Sequence, residues 1–354
     1  MDRIKVGLLG YGLAGSVFHA PLIGLEPRMH LAAIHSSRAE QIAQDCPGAA
    51  VMGSADDLIG RDDLDLIVVA TPNDSHFTYA QKALEAGKHV VVDKPLALDA
   101  GQADALIALA QKEKRHLSVF QNRRWDSGFL SLQSAMAQGR LGAVSCVELH
   151  FDRFRPQIKQ GWREVPAPGA GVLYDLGAHL IDQALCLFGQ PDAITADCQQ
   201  QRPGARVCDY FHLVLFYGPR RVVLHVTTLA PKPGPTIMAH GDGGSFFAYG
   251  LDPQEAWLKA GRRPDDHQAG ALWGGDLPLV DVALFDAEGG AIGLLPGDQR
   301  AVPGHYGAFY GGMAKAILDG ADVPVDPLNA RQGLSILAAA EESSKTGCRM
   351  ACDG

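Results

Sequence analysis

Long apolar runs, an apolar leader, paired cysteine motifs and an excess of positive charge are all missing from this sequence. No stretch is apolar over the twenty or so residues that a bilayer demands, which excludes a membrane-spanning helix. The opening Met1-Asp2-Arg3-Ile4-Lys5-Val6 runs straight into a strand-like segment, so secretion is not expected and the cytoplasm is the expected compartment. The seven cysteines (Cys46, Cys146, Cys186, Cys198, Cys208, Cys348 and Cys352) are odd in number and scattered, with no CxxC. That pattern indicates neither a disulfide framework nor a zinc site, and buried reduced thiols are the simpler reading. With 31 Lys and Arg against 40 Asp and Glu the formal charge is −9, which excludes a general affinity for nucleic acid or anionic membrane. Arg123-Arg124 and Arg262-Arg263 are too short for a phosphate-backbone track, although a small anion could use one. No internal repeat or low-complexity tract interrupts the chain.

What is present is an ordinary globular composition, 47% hydrophobic and 20% charged, over 354 residues. That length calls for two cores, hence two domains, placed at 1–122 and 123–354. Apolar strands alternate with helical patterns up to Leu117–Phe120: Ile4 to Leu9, Ser16 to Leu25, His30 to His35, Ala39 to Asp45, Leu66 to Ala70, Ser75 to Ala86, His89 to Asp93 and Ala100 to Lys112. Strand and helix in turn predict a parallel sheet covered on both faces. Past Trp125 the rhythm changes to longer alternating strands, Val144 to Phe154, Phe211 to Phe216 and Arg221 to Leu229, with helices at Leu130–Gln138, Gly177–Phe188, Tyr306–Leu318 and Ala330–Ser343. Pro231–Pro235 and Pro264–Gly275 read as loops. The expected class is α/β, an N-terminal dinucleotide-binding domain followed by an α+β domain with a large, mostly antiparallel open sheet.

Gly10-Tyr11-Gly12-Leu13-Ala14-Gly15 is a GxGxxG after the first strand and before the first helix. Its glycines suit a tight turn, close approach to a pyrophosphate and close helix–sheet contact. The second strand ends near His35, where an NAD enzyme usually has an acidic residue. Here Ser36, Ser37 and Arg38 follow, and two hydroxyls with a guanidinium favour the 2′-phosphate of NADP, with NAD as the alternative. The competing reading makes the serines helix caps and Arg38 a solvated side chain. Thr71-Pro72-Asn73 with His76, and Asp93-Lys94-Pro95, each stand at the carboxyl end of a predicted parallel strand, where open α/β sheets bind ligands. Turn and cap roles compete for Asn73 and His76, and Pro95 leaves cis and trans open. In Gly171 to Asp182, Asp175 and His179 are four apart and share one helix face. Without a third ligand that pair does not make a metal site, and the alternative for His179 is a satisfied core histidine.

Together these residues resemble the family of glucose-fructose oxidoreductase, inositol 2-dehydrogenase and rhizopine catabolism oxidoreductases (Gfo/Idh/MocA), over essentially the whole chain. The likeness rests on the GxGxxG, the ATPN…H of Ala70 to His76, the (E/D)KP of Asp93 to Pro95 and the GxxxDxGxHxxD of Gly171 to Asp182. Further support comes from Gly15-Ser16-Val17-Phe18-His19, Gln121 to Asp126, Phe154-Arg155-Pro156, Trp162-Arg163 and Asp209-Tyr210-Phe211-His212. The resemblance implies a Rossmann fold for the first domain and hydride exchange between NAD(P) and a cyclitol or sugar carbinol, with scyllo-inositol the leading candidate. It implies that Lys94 and His179 are catalytic, that Asp175 positions substrate and histidine, and that Asn122, Arg124, Trp162 and Arg163 lie near cofactor or substrate. A homo-oligomer is the family's habit. Asp93 stands where Glu is commoner. Trp125, Arg155, Tyr174, His240 and Tyr306 are further polar or aromatic residues available to a polyol. An aldose or keto-sugar substrate, a non-catalytic nucleotide-sensing regulator, and a glycosidase using transient NAD oxidation are the competing functions.

Overall fold

Strand β1 (Ile4–Leu9) is buried on both faces beyond Lys5, and it opens a regular βα series. A π-helical turn (Ala14–His19) leads into α1 (Ala20–Leu25), β2 (Met29–His35), α2 (Ala39–Asp45), β3 (Ala50–Met52), α3 (Ala55–Ile59) and β4 (Leu66–Val69). Next come α4 (His76–Glu85), β5 (His89–Asp93), α5 (Ala100–Glu113) and β6 (Leu117–Phe120). The strands pair in parallel in the order β3-β2-β1-β4-β5-β6, so the winding reverses between β1 and β4. That reversal leaves a crevice beyond the carboxyl ends of the two strands. This computed structural model describes residues 3–158, 164–167, 169–262, 280–293 and 301–352.

The second half continues with α6 (Ser127–Ala137), β7 (Val144–His150), a π-helical turn (Leu173–Gly177) running into α7 (Ala178–Phe188), β8 (Ala193–Gln199), β9 (Tyr210–Tyr217) and β10 (Arg220–Thr227). It ends with β11 (Ile237–Gly241), β12 (Gly244–Tyr249), α8 (Gln254–Lys259), β13 (Asp281–Asp286), β14 (Ala291–Ile292), α9 (Ala308–Asp319), α10 (Pro327–Thr346) and β15 (Met350–Ala351). Nine strands form one sheet, β14-β13-β12-β11-β7-β10-β9-β8-β15, antiparallel except where β7 meets β10. Its register separates two faces. Phe211, Leu213 and Leu215 of β9 align with Val226, Leu224 and Val222 of β10 on the buried face. The alternate residues His212, His225 and His150 fall on the other.

Two compact units result. The first holds Met1–Asn122 together with α8 and the segment His305–Arg331 that contains α9. The second holds Arg123–Pro253, Leu277–Gly304 with β13 and β14, and Gln332–Gly354. A single boundary after residue 122 was expected, but aromatic side chains from His305–Arg331 complete the first core: the rings of Phe309 and Phe120 are 5.0 Å apart, and Ser118 Oγ donates to Val325 O. The expected loop at Pro264–Gly275 lies outside the described residues.

Candidate active site

The glycine-rich turn has a separate physical reason for each glycine. Gly10 has a φ of +93°, and a Cβ there would collide with Ala70 O, so the ends of β1 and β4 can approach only without a side chain. A Cβ on Gly15 would strike Gly10 O, which bars any larger residue from the helix start. Gly12, by contrast, faces open space, with nothing within 4 Å of an added Cβ. Leu13 is exposed beside it, and Ala14 begins the helical turn. Tyr11 turns inward instead: it is buried, and its hydroxyl lies 3.2 Å from Asp45 Oδ2 and 3.4 Å from Cys46 Sγ. Only its backbone belongs to the turn's open side.

The end of β2 carries no carboxylate. His35 Nδ1 is tied to Met52 O at 3.0 Å, and Ser36, Ser37 and Arg38 follow with increasing exposure. Arg38 itself occupies the position before α2, and no side chain caps that helix. The serines are therefore not committed as caps.

Across the crevice, His76 ties two loops together. This buried ring lies 2.7 Å from Pro95 O through Nδ1 and 2.9 Å from Thr71 O through Nε2. Ser75 Oγ lies 2.7 Å from both Thr71 Oγ1 and Pro72 O, and Asn73 is half-buried at the start of that turn. Asp93 Oδ1 accepts the Lys94 backbone N–H at 2.9 Å, and the Lys94–Pro95 bond is cis. Burial alone would raise the Asp93 carboxyl, but His19, His76 and Lys94 outweigh it and hold it below the usual carboxylate range. Lys94 is half-buried at this strand end.

His19 was missed as a site residue, although the segment containing it was among those noted in the sequence. It has no exposed surface, lies tilted with its ring centre 4.5 Å from that of Phe120, and places Nδ1 2.6 Å from the Tyr310 hydroxyl. Its Nε2 lies 3.9 Å from Asp93 Oδ1, an electrostatic separation too long for a hydrogen bond. Burial and Asp93 push the Tyr310 phenol well above its ordinary value, so it keeps its proton beside the ring. Nothing in the local sequence pairs residues 291 apart. At the end of β6, Gln121 is 5% exposed, and its Oε1 has no partner among the described residues. An open glycine, an orphaned buried acceptor and a strand end without a carboxylate together fit a dinucleotide.

In the second unit, Asp175 and His179 lie one turn apart on the continuous helical run Leu173–Phe188, with Asp175 half-buried and His179 buried. A Cβ added at Gly177 would come within 3.4 Å of the Phe211 ring, so glycine there lets the helix pack closely on β9. Arg124 meets Asp182 in a two-pronged pair, at 2.8 and 2.7 Å, largely out of water. Burial raises the Asp182 carboxyl, with Arg124 opposing it. Arg124 is thereby oriented by Asp182, the last residue of the GxxxDxGxHxxD pattern. Asn122 is buried at the start of a 3₁₀ turn, and Trp125 closes that turn half-buried.

The further candidates divide. Arg155 is exposed at the segment leaving β7. Its carbonyl is gripped by Arg202 Nη1 at 3.3 Å, and Arg202 is held in turn by Asp209 and Glu164. Tyr174 directs its hydroxyl to Glu341, and burial followed by that carboxylate raises its ordinary value. His240 sits on the sheet face opposite the one that supports α7, with Nδ1 2.9 Å from Ser245 Oγ. Tyr306, itself part of the first unit, has no exposed surface, and its ring centre is 6.3 Å from that of Phe18 in the same unit. Trp162 and Arg163 lie outside the described residues. A cavity of about 40 Å³ lined by Arg123, Asp126, Phe129, Gln183 and Asp252 has room for a few waters but not for a polyol.

Comparison with known proteins agrees with this layout. Residues 4–121 match a family model described as an oxidoreductase family, NAD-binding Rossmann fold, and residues 129–247 match one described as the GFO/IDH/MocA C-terminal domain. The uncharacterised oxidoreductase YdgJ of Escherichia coli is 45% identical over 350 residues, covering 97% of each chain. The NADP(+)-dependent scyllo-inositol 2-dehydrogenase IolW of Bacillus subtilis is 38% identical over 98% of this chain and 95% of its own. Among solved structures, an oxidoreductase from Yersinia pestis superposes with a TM-score of 0.91 at 44% identity, over 100% of this chain and 98% of that one.

Proposed function

Because this chain belongs to the Gfo/Idh/MocA oxidoreductase family and is an NAD(P)-binding dehydrogenase, we propose that it exchanges hydride between NADP and a secondary alcohol or ketone of a cyclitol or sugar, scyllo-inositol first among them. The observation that favours NADP is the end of β2, where Ser36, Ser37 and Arg38 offer donors and no carboxylate repels a 2′-phosphate. Likeness to a scyllo-inositol dehydrogenase over nearly the full length favours the cyclitol.

When bound, the nicotinamide supplies the carbon that takes or returns the hydride. The chain's own residues must then move a proton and hold developing charge on oxygen. His179 is the proposed base, since an imidazole's ordinary value of about 6.5 lies near working pH. Lys94 is the proposed ammonium that hydrogen-bonds the same oxygen and stabilises the alkoxide. Asp175, one turn from His179, holds a substrate hydroxyl and keeps the ring in register. In the reductive direction His179 returns the proton.

The test follows nicotinamide absorbance with NADP and NAD separately against scyllo-inositol, myo-inositol and a set of aldoses. Turnover with NADP and scyllo-inositol is expected, and inactivity with every cyclitol would overturn the substrate assignment. Arg38→Ala should raise the KM for NADPH roughly tenfold, the loss of one charge-assisted hydrogen bond. An unchanged KM would remove the preference for NADP.

A further inference from the structure

The sheet of the second unit carries a row of imidazoles that the proposed reaction does not use. Register across β9, β10 and β7 aligns His212 with His225 and His225 with His150, on the face turned away from α7. Asp152, two residues beyond the end of β7, lies against this row. Its Oδ1 is 2.9 Å from His225 Nδ1, and its Oδ2 is 3.3 Å from His150 Nδ1. Among the described residues this is the only trio of His, Cys, Asp or Glu side chains whose donor atoms all lie within 4.8 Å of one another. Side-chain exposures of 18%, 12% and 18% leave the trio accessible to a small ion yet restrained.

Two outer contacts pre-orient it. Thr227 N–H donates to Asp152 Oδ1 at 3.1 Å, which fixes the carboxylate. His150 Nε2 lies 3.1 Å from Glu148 Oε2 and Nδ1 faces Asp152, so a neutral ring must turn one lone pair toward a carboxylate, and with the N–H on Nε2 it is the Nδ1 lone pair that faces Asp152. A lone pair facing a carboxylate oxygen at 3.3 Å repels it unless something positive lies between them, either a proton or a metal ion. The carboxylate–imidazole pairing on the far nitrogen is the outer-shell arrangement that metal-binding histidines use.

We infer that His150, Asp152 and His225 bind one divalent transition-metal ion of the zinc type, through the two Nδ1 atoms and one carboxylate oxygen. Two imidazoles with one carboxylate select such an ion over magnesium or calcium, which prefer all-oxygen shells. Water or His212, whose ring centre is 5.9 Å from that of His225, completes the shell. Binding displaces the proton from His150, so affinity falls on acidification through the imidazole range. The bound ion ties β10 to the segment that carries Arg153 and Arg155. None of this depends on which alcohol the protein oxidises.

The test titrates tag-free, chelator-treated protein with zinc chloride in competition with a chromophoric chelator, and reads thermal unfolding alongside. One equivalent is expected to bind and to raise the unfolding midpoint. His225→Gln and Asp152→Asn should each weaken binding roughly tenfold or more. His116→Gln, on the separate His89–His116 pair, should leave it unchanged. Absence of saturable binding, full retention of it in both variants, or equally tight magnesium binding would overturn the assignment. Cobalt(II) added to the unsubstituted protein gives a reading that no folding defect can blur: visible ligand-field bands of a nitrogen and oxygen shell support the site, and their absence overturns it.

Discussion

What a methyl group would meet separates two glycines that look alike in the motif. A side chain on Gly12 projects into open space, whereas one on Gly15 strikes Gly10 O. Gly12→Val should therefore leave the unfolding midpoint within a degree or two while abolishing measurable NADPH binding by fluorescence titration. Gly15→Val should lower the midpoint itself, because the clash is with backbone. Equal melting losses in both would refute the distinction. Lys94→Ala and His179→Ala should each lower kcat by roughly 10²–10⁴-fold with the NADPH dissociation constant nearly unchanged. A variant that keeps wild-type kcat would end that residue's catalytic assignment. The glycines were legible because their spacing follows from the cofactor's shape. The place of Lys94 directly after a strand was legible because the βα pattern ends β5 at Asp93. His19 was not: its position depends on Tyr310, far away in the chain, and no local rule pairs the two. Tyr306 misled for the reverse reason, since an aromatic with a polar tip reads equally as binding residue or core, and the fold buries it.

At the scale of elements, β5 begins on a histidine whose neutrality is built in. His89 Nδ1 accepts the His116 backbone N–H at 3.0 Å, and burial, then the charges of His116 and Arg115, lower its value to about 4. The unfolded chain takes up a proton near 6.5 while the folded one resists until about 4. Stability contributed at this position is therefore complete above 6.5 and is lost as pH falls between those values. His89→Gln should flatten the stability–pH curve across that window in urea unfolding, and a curve as steep as the parent's would argue against it. The joint between β8 and β9 makes a sharper stability prediction. Asp209, fully buried, accepts from Gln201 N, Arg202 N and Arg202 Nε. Asp209→Ala leaves the Arg202 guanidinium buried without that partner and should cost about 3–5 kcal/mol. A loss under 1 kcal/mol in denaturant titration would show that Glu164 suffices. Parallel strands such as Leu66–Val69 and His89–Asp93 were readable because burial on both faces makes them continuous apolar runs. The short strands Ala50–Met52, Ala291–Ile292 and Met350–Ala351 were not, being too brief to show a period. The strands Ala193–Gln199, Ile237–Gly241, Gly244–Tyr249 and Asp281–Asp286 were longer but also went unread.

For the whole molecule, the discontinuity of the first unit matters most. Hydrophobic periodicity reports local structure, so it located the change of rhythm near Trp125, but it could not say that a segment near residue 310 packs against a strand near residue 120. His19 meets Tyr310, Phe120 meets Phe309, and Ser118 bonds to Val325 O. A fragment ending at residue 122 should accordingly lack this side of its core and show no cooperative thermal transition by circular dichroism. A sharp transition with native-like spectra would show that the βα series suffices. The same discontinuity reaches into biosynthesis. A nucleotide-binding sheet translated first cannot be completed until about two hundred further residues have left the ribosome, because its closing aromatics are encoded last. Until then the apolar flank of β6 is without the partners that shelter it, and chaperone dependence of this chain should track how long translation takes to reach Arg331.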